Sequence, residues 1–155
     1  DAEAIERIAG DYAVSHWLQP VPHPYHATQA QTFIARVLKG EEGPVWAITH
    51  KDQLIGVIGL DDVLGYYLDP EFWGQGLMTE AVRAVIAYRF SDPQLVQIAS
   101  GYFEGNTGSR RVLEKSGFEP AGISTCFSQA RGEDVPSHRM HLARARWTTL
   151  MQAHE

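Results

Sequence analysis

The chain has 155 residues, enough for one domain built around a single hydrophobic core. Hydrophobic residues make up 44% and charged residues 21%, close to the globular average, which argues against a disordered chain, a collagen-like repeat and a coiled coil. The net charge is −6 and the longest basic run is Arg110–Arg111, so the sequence lacks the basic face that nucleic acids require, and we expect no nucleic-acid partner.

Three further features bear on location. No apolar run reaches the roughly 18 residues that span a bilayer. The opening segment Asp1–Glu6 is acidic, whereas a secretory signal begins with basic residues. Cys126 is the only cysteine and cannot form an internal disulfide. We therefore expect a cytoplasmic protein with no membrane partner.

The first forty residues predict two helices joined by a stiff loop. Apolar residues recur at helical spacing at Ile5, Ile8, Ala9 and Tyr12. Three prolines within Pro20–Pro24 exclude a helix or a sheet interior there. The second helix is predicted to begin with a capping box formed by Thr28 and Gln31 and to end at Gly40.

The remaining sequence predicts a sheet with crossover helices. β-rich runs predict strands at Val45–Thr49, Leu54–Leu60, Leu64–Leu68 and Leu95–Phe103. A helix between the last two strands makes a parallel βαβ unit, and the run Ile123–Leu142 predicts an antiparallel hairpin. Gly56, Gly59 and Gly65 indicate bulges or close backbone contacts. The fold class is therefore α/β, with a central mixed, mostly antiparallel sheet and helices on both faces.

Two turns flank the predicted helices in the second half of the chain. The turn Trp73–Thr79 joins a strand to a helix through two glycines, so free N–H groups and the positive end of a helix dipole converge there. Alone, such a turn indicates a phosphate site no more strongly than a tight connection. A short helix follows Asn106 or Thr107, and Gly117 predicts a Schellman-type stop with Phe118 packed on Leu113.

Two segments together resemble the GNAT superfamily of acyl-CoA N-acyltransferases, with the closer likeness to its ribosomal-protein N-terminal acetyltransferase branch. They are Leu68–Ala81 (LDPEFWGQGLMTEA) and Asn106–Phe118 (NTGSRRVLEKSGF). The order of elements extends the likeness over nearly the whole chain. Residues 1–155 are thus expected to form a single N-acetyltransferase domain. Because the family usually begins with a strand and this chain opens inside a helix, the resemblance predicts that the first strand is missing.

The resemblance implies a three-layer domain with one parallel, splayed pair of strands, and acetyl-CoA (CoA) as co-substrate. In the family, amides of the glycine turn bind the cofactor pyrophosphate, and the corresponding residues are Trp73, Gly74, Gln75, Gly76, Leu77, Met78 and Thr79. The family has a glycine or alanine at the place of Met78, so this side chain is expected to narrow the approach. Leu68 would present its N–H to the thioester carbonyl. Asn106 would bind the cofactor, although a plain helix cap explains it equally well.

Catalytic roles follow from the same resemblance. Many relatives use a tyrosine of the short helix to protonate the departing thiolate, but Leu113 occupies its place. Ser109 matches a serine of the branch and is the replacement candidate, the alternative being a serine that bonds locally in the first helical turn. Some relatives carry a glutamate at the place of Ser128, so the general base stays open. The candidates are Glu104, His138, His141, His23 and His26. His23 with His26, and His138 with His141, form two closely spaced histidine pairs. Neither pair has a third ligand at a convincing spacing, so we expect no metal.

The resemblance predicts an enzyme that moves an acetyl group to a primary amine by direct attack in a ternary complex. At pH 7, neutralising a lysine-type amine of pKa about 10.4 costs about 4.6 kcal/mol, whereas an α-amine of pKa about 7.8 costs about 1 kcal/mol. A weak base therefore favours a protein N-terminal α-amine or a small amine of low pKa. The alternatives are a catalytically weak CoA-binding regulatory domain and a generic nucleotide-binding domain. The oligomeric state stays open, with a homodimer as one option.

Overall fold

Six strands in two antiparallel sheets carry the fold in the computed structural model, which describes residues 1–153. The strands are β1 (Val45–His50), β2 (Gln53–Leu60), β3 (Leu64–Leu68), β4 (Gln97–Phe103), β5 (Glu119–Ser128) and β6 (Glu133–Ala143). The helices are α1 (Ala2–Ala9), α2 (Tyr12–Ser15), α3 (Ala27–Leu38), α4 (Leu77–Arg89), α5 (Thr107–Lys115) and α6 (Arg144–Gln152). A short 3₁₀ turn, Pro70–Phe72, follows β3. The predicted α/β class is confirmed.

The sheets have the orders β1-β2-β3 and β4-β6-β5, and all of these neighbours are antiparallel. The parallel β3–β4 pairing expected from the βαβ unit is reduced to one bridge, between Val63 and Ala99. Ala99 N–H donates to Asp62 O at 2.9 Å, and Ser100 Oγ donates to Leu64 O at 2.9 Å. Beyond these contacts no β3–β4 ladder continues among residues 1–153, because the two strands diverge.

Two hydrophobic clusters lie on either side of β2. One forms under α1, α2 and α3 and contains Ile5, Ile8, Val14, Ala30, Leu54 and Val57. The larger cluster lies under α4 and α5 and includes Ile58, Leu60, Val82, Ile86, Ile98, Leu113 and Leu142. The helices therefore cover both faces, as expected for a three-layer domain.

Two predictions about the N-terminal helices were wrong. The first helix ends at Ala9, and Asp11 begins a separate turn by accepting the N–H of Ala13 at 2.9 Å. Tyr12 therefore leaves the buried face and is 46% exposed. The second helix begins two residues early, because Gln29 Oε1 accepts the N–H of His26 at 2.6 Å and closes the capping box there.

The C-terminal half contains one confirmed stop and one helix that the sequence did not predict. At Gly117 (φ 98°), Phe118 N–H donates to Leu113 O at 3.0 Å, which is the Schellman bond. The additional helix is α6, which has no strong apolar stripe and is held by Arg144, whose Nε donates to Leu95 O at 2.9 Å. No helix within residues 1–153 is long and apolar enough to cross a membrane.

A substitution at Gly56 tests how closely β2 and β3 approach each other. A Cβ at Gly56 would lie 2.5 Å from Tyr67 O, whereas one at Gly59 on the same strand would meet no atom closer than 3.5 Å. We expect Gly56→Ala to lower the free energy of unfolding by about 2–4 kcal/mol, because backbone must move, and Gly59→Ala to cost at most about 1 kcal/mol. Urea unfolding of both variants measures this. Equal losses would contradict the close approach at Gly56.

Candidate active site

The turn before α4 presents a run of unpaired backbone amides. Gly74 and Gly76 have φ values of 74° and 78°, and Gly76 is the residue from which α4 begins. From Gly74 to Thr79, no N–H group donates to an acceptor within residues 1–153, and the intrahelical bonds begin with Glu80 N–H to Gly76 O at 3.1 Å. These six consecutive amides lie at the positive end of a 13-residue helix, an arrangement that suits an anion, and we call them the amide concavity.

This concavity is open to ligand. A Cβ at Gly74 or Gly76 would meet no atom within 4 Å, so the glycines are required for their left-handed backbone and not for lack of space. The expectation that Met78 narrows the approach was wrong, because its side chain turns into the core and is 7% exposed. Trp73 donates its own N–H to Pro70 O at 3.2 Å, so the unpaired run begins one residue later.

Leu68 turns its backbone polar groups away from β2. Asp69 N–H donates to Ile55 O at 2.7 Å, and Leu68 faces Gly56 in the next register position. In an antiparallel pair alternate residues direct their N–H and C=O groups to opposite sides, so those of Leu68 point toward the side where β4 diverges. Its carbonyl accepts the Trp73 indole N–H at 2.8 Å, and its N–H has no acceptor among residues 1–153.

Asp69 fixes the chain immediately after this N–H group. The side chain is nearly buried, and Oδ2 accepts Arg7 Nη1 of α1 at 2.8 Å. Oδ1 accepts the N–H of Glu71 at 3.0 Å and so begins the 3₁₀ turn. Both carboxylate oxygens are thereby satisfied, as a buried charge requires.

Asn106 and Ser109 lie at the start of α5, where the sequence placed them. Asn106 Oδ1 accepts the N–H of Ser109 at 3.2 Å, which makes Asn106 the helix cap and leaves its side-chain amide N–H₂ available. Ser109 Oγ lies 2.8 Å from the phenol oxygen of Tyr66 on β3. Burial raises the pKa of Tyr66 to about 12, and the hydrogen bond with Ser109 lowers it in part. Sequence reasoning missed Tyr66, although it lies two residues before Leu68 in the same strand.

Two candidate bases come together where β4 ends. His138 Nε2 lies 3.7 Å from Glu104 Oε1, and the imidazole stacks on Tyr102 with ring centroids 5.0 Å apart. Glu104 is 65% exposed and lies two residues before Asn106. The other candidates lie elsewhere. His23 and His26 are exposed in and beside the proline-rich loop, and His141 pairs with Ala99 and Glu119.

Ser128 and the turn between β5 and β6 lie beside the end of β4. Ser128 is fully buried, and its Oγ accepts the N–H of Arg131 at 3.1 Å. The Arg131 guanidinium lies over the Trp17 ring at 5.1 Å and over the Phe103 ring at 5.6 Å. Trp17, which precedes α3, therefore lies at this end of the sheet, and its ring is also the nearest group to a Cβ built at Gly105, at 3.6 Å. Within residues 1–153 no group of three or more His, Cys, Asp or Glu side chains could hold a metal ion.

A surface depression of about 390 Å³ adjoins the amide concavity. It is lined by Gly76, Thr79, Glu80, Arg83 and Lys115. Arg83 Nη2 donates to Lys115 O at 3.0 Å, which fixes one cation at its edge. The depression therefore carries two cations, Arg83 and Lys115, and one carboxylate, Glu80, between the turn and α5.

The sequence matches known proteins along most of its length. A family model described as an acetyltransferase (GNAT) domain matches residues 1–119. The probable N-acetyltransferase YjcK of Bacillus subtilis (strain 168) is 43% identical over 82 residues, which are 47% of this chain and 45% of YjcK. The chain thus spans about half the length of that relative.

The putative ribosomal N-acetyltransferase YdaF of Bacillus subtilis (strain 168) is 36% identical over 136 residues, 79% of this chain and 74% of YdaF. Among solved structures, aminoglycoside acetyltransferase AAC(6')-Ib in complex with coenzyme A matches with a TM-score of 0.76 and 21% identity. That match covers 96% of this chain and 92% of the other and shows the shared fold.

Proposed function

Because the chain belongs to the GNAT acetyltransferase family, we propose that it transfers the acetyl group of acetyl-CoA to a primary amine in a ternary complex. The observation that carries this proposal is the run of six unpaired amides, Gly74–Thr79, beside two strands that diverge. A diphosphate matches the first feature, because its oxygens only accept hydrogen bonds. The thin pantetheine arm of CoA, which contains amides, matches the diverging strands, because β3 leaves backbone groups unpaired along its open side.

The residues present fit each part of CoA. The Gly74–Thr79 amides would hold the pyrophosphate, and the cations Arg83 and Lys115 at the adjoining depression suit the phosphorylated nucleoside end. The open edge of β3 would take the pantetheine arm, with the free N–H₂ of Asn106 as a further donor. The backbone donors need no particular side chains, so Trp73 and Met78 leave the binding surface intact.

The chain's own groups support acyl transfer at the end of this gap. When bound, acetyl-CoA supplies a thioester whose carbonyl carbon gains the amine nitrogen while the C–S bond breaks and the sulfur leaves with the electron pair. The Leu68 N–H would donate to the carbonyl oxygen, a contribution worth about 3–4 kcal/mol in comparable acyl-transfer sites. Ser109 would donate a hydrogen bond to the departing sulfur. The amine loses one proton overall, and we assign its acceptance to the pair of Glu104 and His138.

An amine of low pKa is the proposed acceptor. Glu104 is exposed and 3.7 Å from His138, beyond a direct hydrogen bond, which is the arrangement of a weak or water-relayed base. Such a base suits an α-amine, whose neutral form costs about 1 kcal/mol at pH 7, better than a lysine side chain at about 4.6 kcal/mol. The name of YdaF, a putative ribosomal N-acetyltransferase, points to a ribosomal acceptor, whereas the name of AAC(6')-Ib gives an aminoglycoside as acceptor.

Acetyl transfer is tested by thiol release with a panel of amines. Purified protein, acetyl-CoA and a thiol dye are mixed with peptides bearing a free α-amine, with N-terminally blocked peptides bearing only lysine ε-amines, with polyamines and with aminoglycosides. We expect turnover to be fastest with free α-amines or small amines of low pKa. Tight CoA binding without thiol release for any amine would indicate a regulatory CoA-binding domain instead.

The amide concavity is tested by placing a side chain at Gly76. We expect Gly76→Ala to weaken CoA binding at least about tenfold in calorimetry, because a residue at φ 78° must strain or shift the donors. The matched control is Gly40→Ala, since Gly40 has the same φ and open surroundings at the far end of α3. Both variants should lose similar stability. Unchanged CoA affinity in Gly76→Ala would remove the turn from the binding site.

The base is tested by Glu104→Gln. We expect kcat/KM for the amine to fall about 10²-fold at pH 7 while KM for acetyl-CoA changes little, because the carboxylate takes up a proton but binds no cofactor. Glu114→Gln is the control. Like Glu104→Gln, it removes one negative charge. Glu114 lies on α5, where its carboxylate pairs with the exposed Arg110 at 2.6 Å. Wild-type rates in Glu104→Gln would exclude this residue as the base.

A further inference from the structure

We propose that Tyr66 is a positioning residue for Ser109: its phenol donates a hydrogen bond to Ser109 Oγ and leaves the serine hydroxyl hydrogen free to donate to the departing sulfur. The inference rests on the proposed acetyl transfer and deepens it. Tyr66 itself acts through Ser109, so its effect depends on that serine being present.

The first support is that the side chain of Ser109 has an unusual hydrogen-bond partner. A serine in the first turn of a helix ordinarily bonds to nearby backbone. Ser116, at the C-terminal end of α5, also bonds to nearby backbone, since its Oγ donates to Val112 O at 2.7 Å. Ser109 Oγ instead lies 2.8 Å from Tyr66, a residue 43 positions away on β3. The tyrosine therefore links the strand that carries Leu68 to the helix that begins at Thr107.

The second support is the direction of this bond. The Tyr66 phenol lies 3.4 Å from Ser109 O, which is long for an O–H···O bond, and 2.8 Å from Ser109 Oγ, which is ideal. The carbonyl of Ser109 also has a helical acceptor role toward Leu113 N–H. Either oxygen could donate across the 2.8 Å contact, and we assign the donor role to the phenol, whose longer contact with the Ser109 carbonyl is the weaker one. A hydroxyl that accepts from Tyr66 keeps its own hydrogen for another acceptor.

The third support is that Tyr66 stays protonated at the pH of catalysis. Burial raises its pKa to about 12. A thiol titrates near 8.5, so moving a proton from this phenol to a thiolate would be unfavourable by roughly 10³-fold. Tyr66 therefore serves as a persistent hydrogen-bond donor, and the stabilisation it relays acts on the sulfur as negative charge develops.

A double-mutant cycle tests the inference. Wild type, Tyr66→Phe, Ser109→Ala and the double variant are compared by kcat, by KM for acetyl-CoA and, without ligand, by urea unfolding. We expect Tyr66→Phe to lower kcat about 3–10-fold, as for loss of one hydrogen bond, with KM for acetyl-CoA within about twofold. The double variant should match Ser109→Ala in kcat. In urea unfolding, the decreases in the free energy of unfolding of the two single variants should add up to more than the decrease in the double variant.

Tyr67→Phe is the matched control, because Tyr67 is the next residue of β3, its phenol is also buried, and its pKa is also raised by burial. We expect it to keep wild-type kcat. If wild type turns over but Tyr66→Phe and Ser109→Ala reduce kcat independently, or leave it unchanged, the inference is wrong while the proposed function stands. If wild type turns over no amine, the proposed function fails first and the inference fails with it.

Discussion

A single parallel contact between two strands shapes this molecule. Val63, just before β3, forms a parallel bridge with Ala99 of β4, and the two strands then separate, so the chain leaves backbone hydrogen-bonding groups of β3 without strand partners. Unpaired backbone groups are costly when buried and invite another extended molecule when exposed. The Leu68 N–H at the open end of the gap is the most consequential of them. The proposed chemistry depends on this divergence, because a continuous ladder would consume the same donor.

The surrounding contacts hold the gap open and aim its groups. The Trp73 indole on Leu68 O and the Arg7 ion pair with Asp69 fix the end of β3 to the glycine turn and to α1. Ser100 Oγ on Leu64 O closes the opposite end. Each contact satisfies a buried or partly buried polar group, so the gap is stabilised by the same bonds that define it. The two halves of the site, the amide concavity and the start of α5, are thereby held on one framework.

Local patterns in the sequence predicted the strands of the first sheet, the Schellman stop at Gly117 and the glycine turn, because each depends on residues adjacent in the chain. The divergence of β3 and β4 was expected only from the family resemblance, since local patterns indicate a parallel βαβ unit without showing that its strands separate. Helix α6 was not predicted, because its docking depends on tertiary contacts such as Arg144 on Leu95 O. Met78 shows the same limit, since its position in a motif did not reveal which way its side chain turns. Tyr66 was missed because its partner lies 43 residues away.

The most direct measurement of the central claim is an amide-resolved NMR titration with CoA. We expect the largest chemical-shift changes on the backbone N–H groups of Gly74–Thr79 and on Leu68, with the β5–β6 hairpin little affected. Saturating CoA that leaves these amides unmoved, or that shifts another surface instead, would contradict that claim.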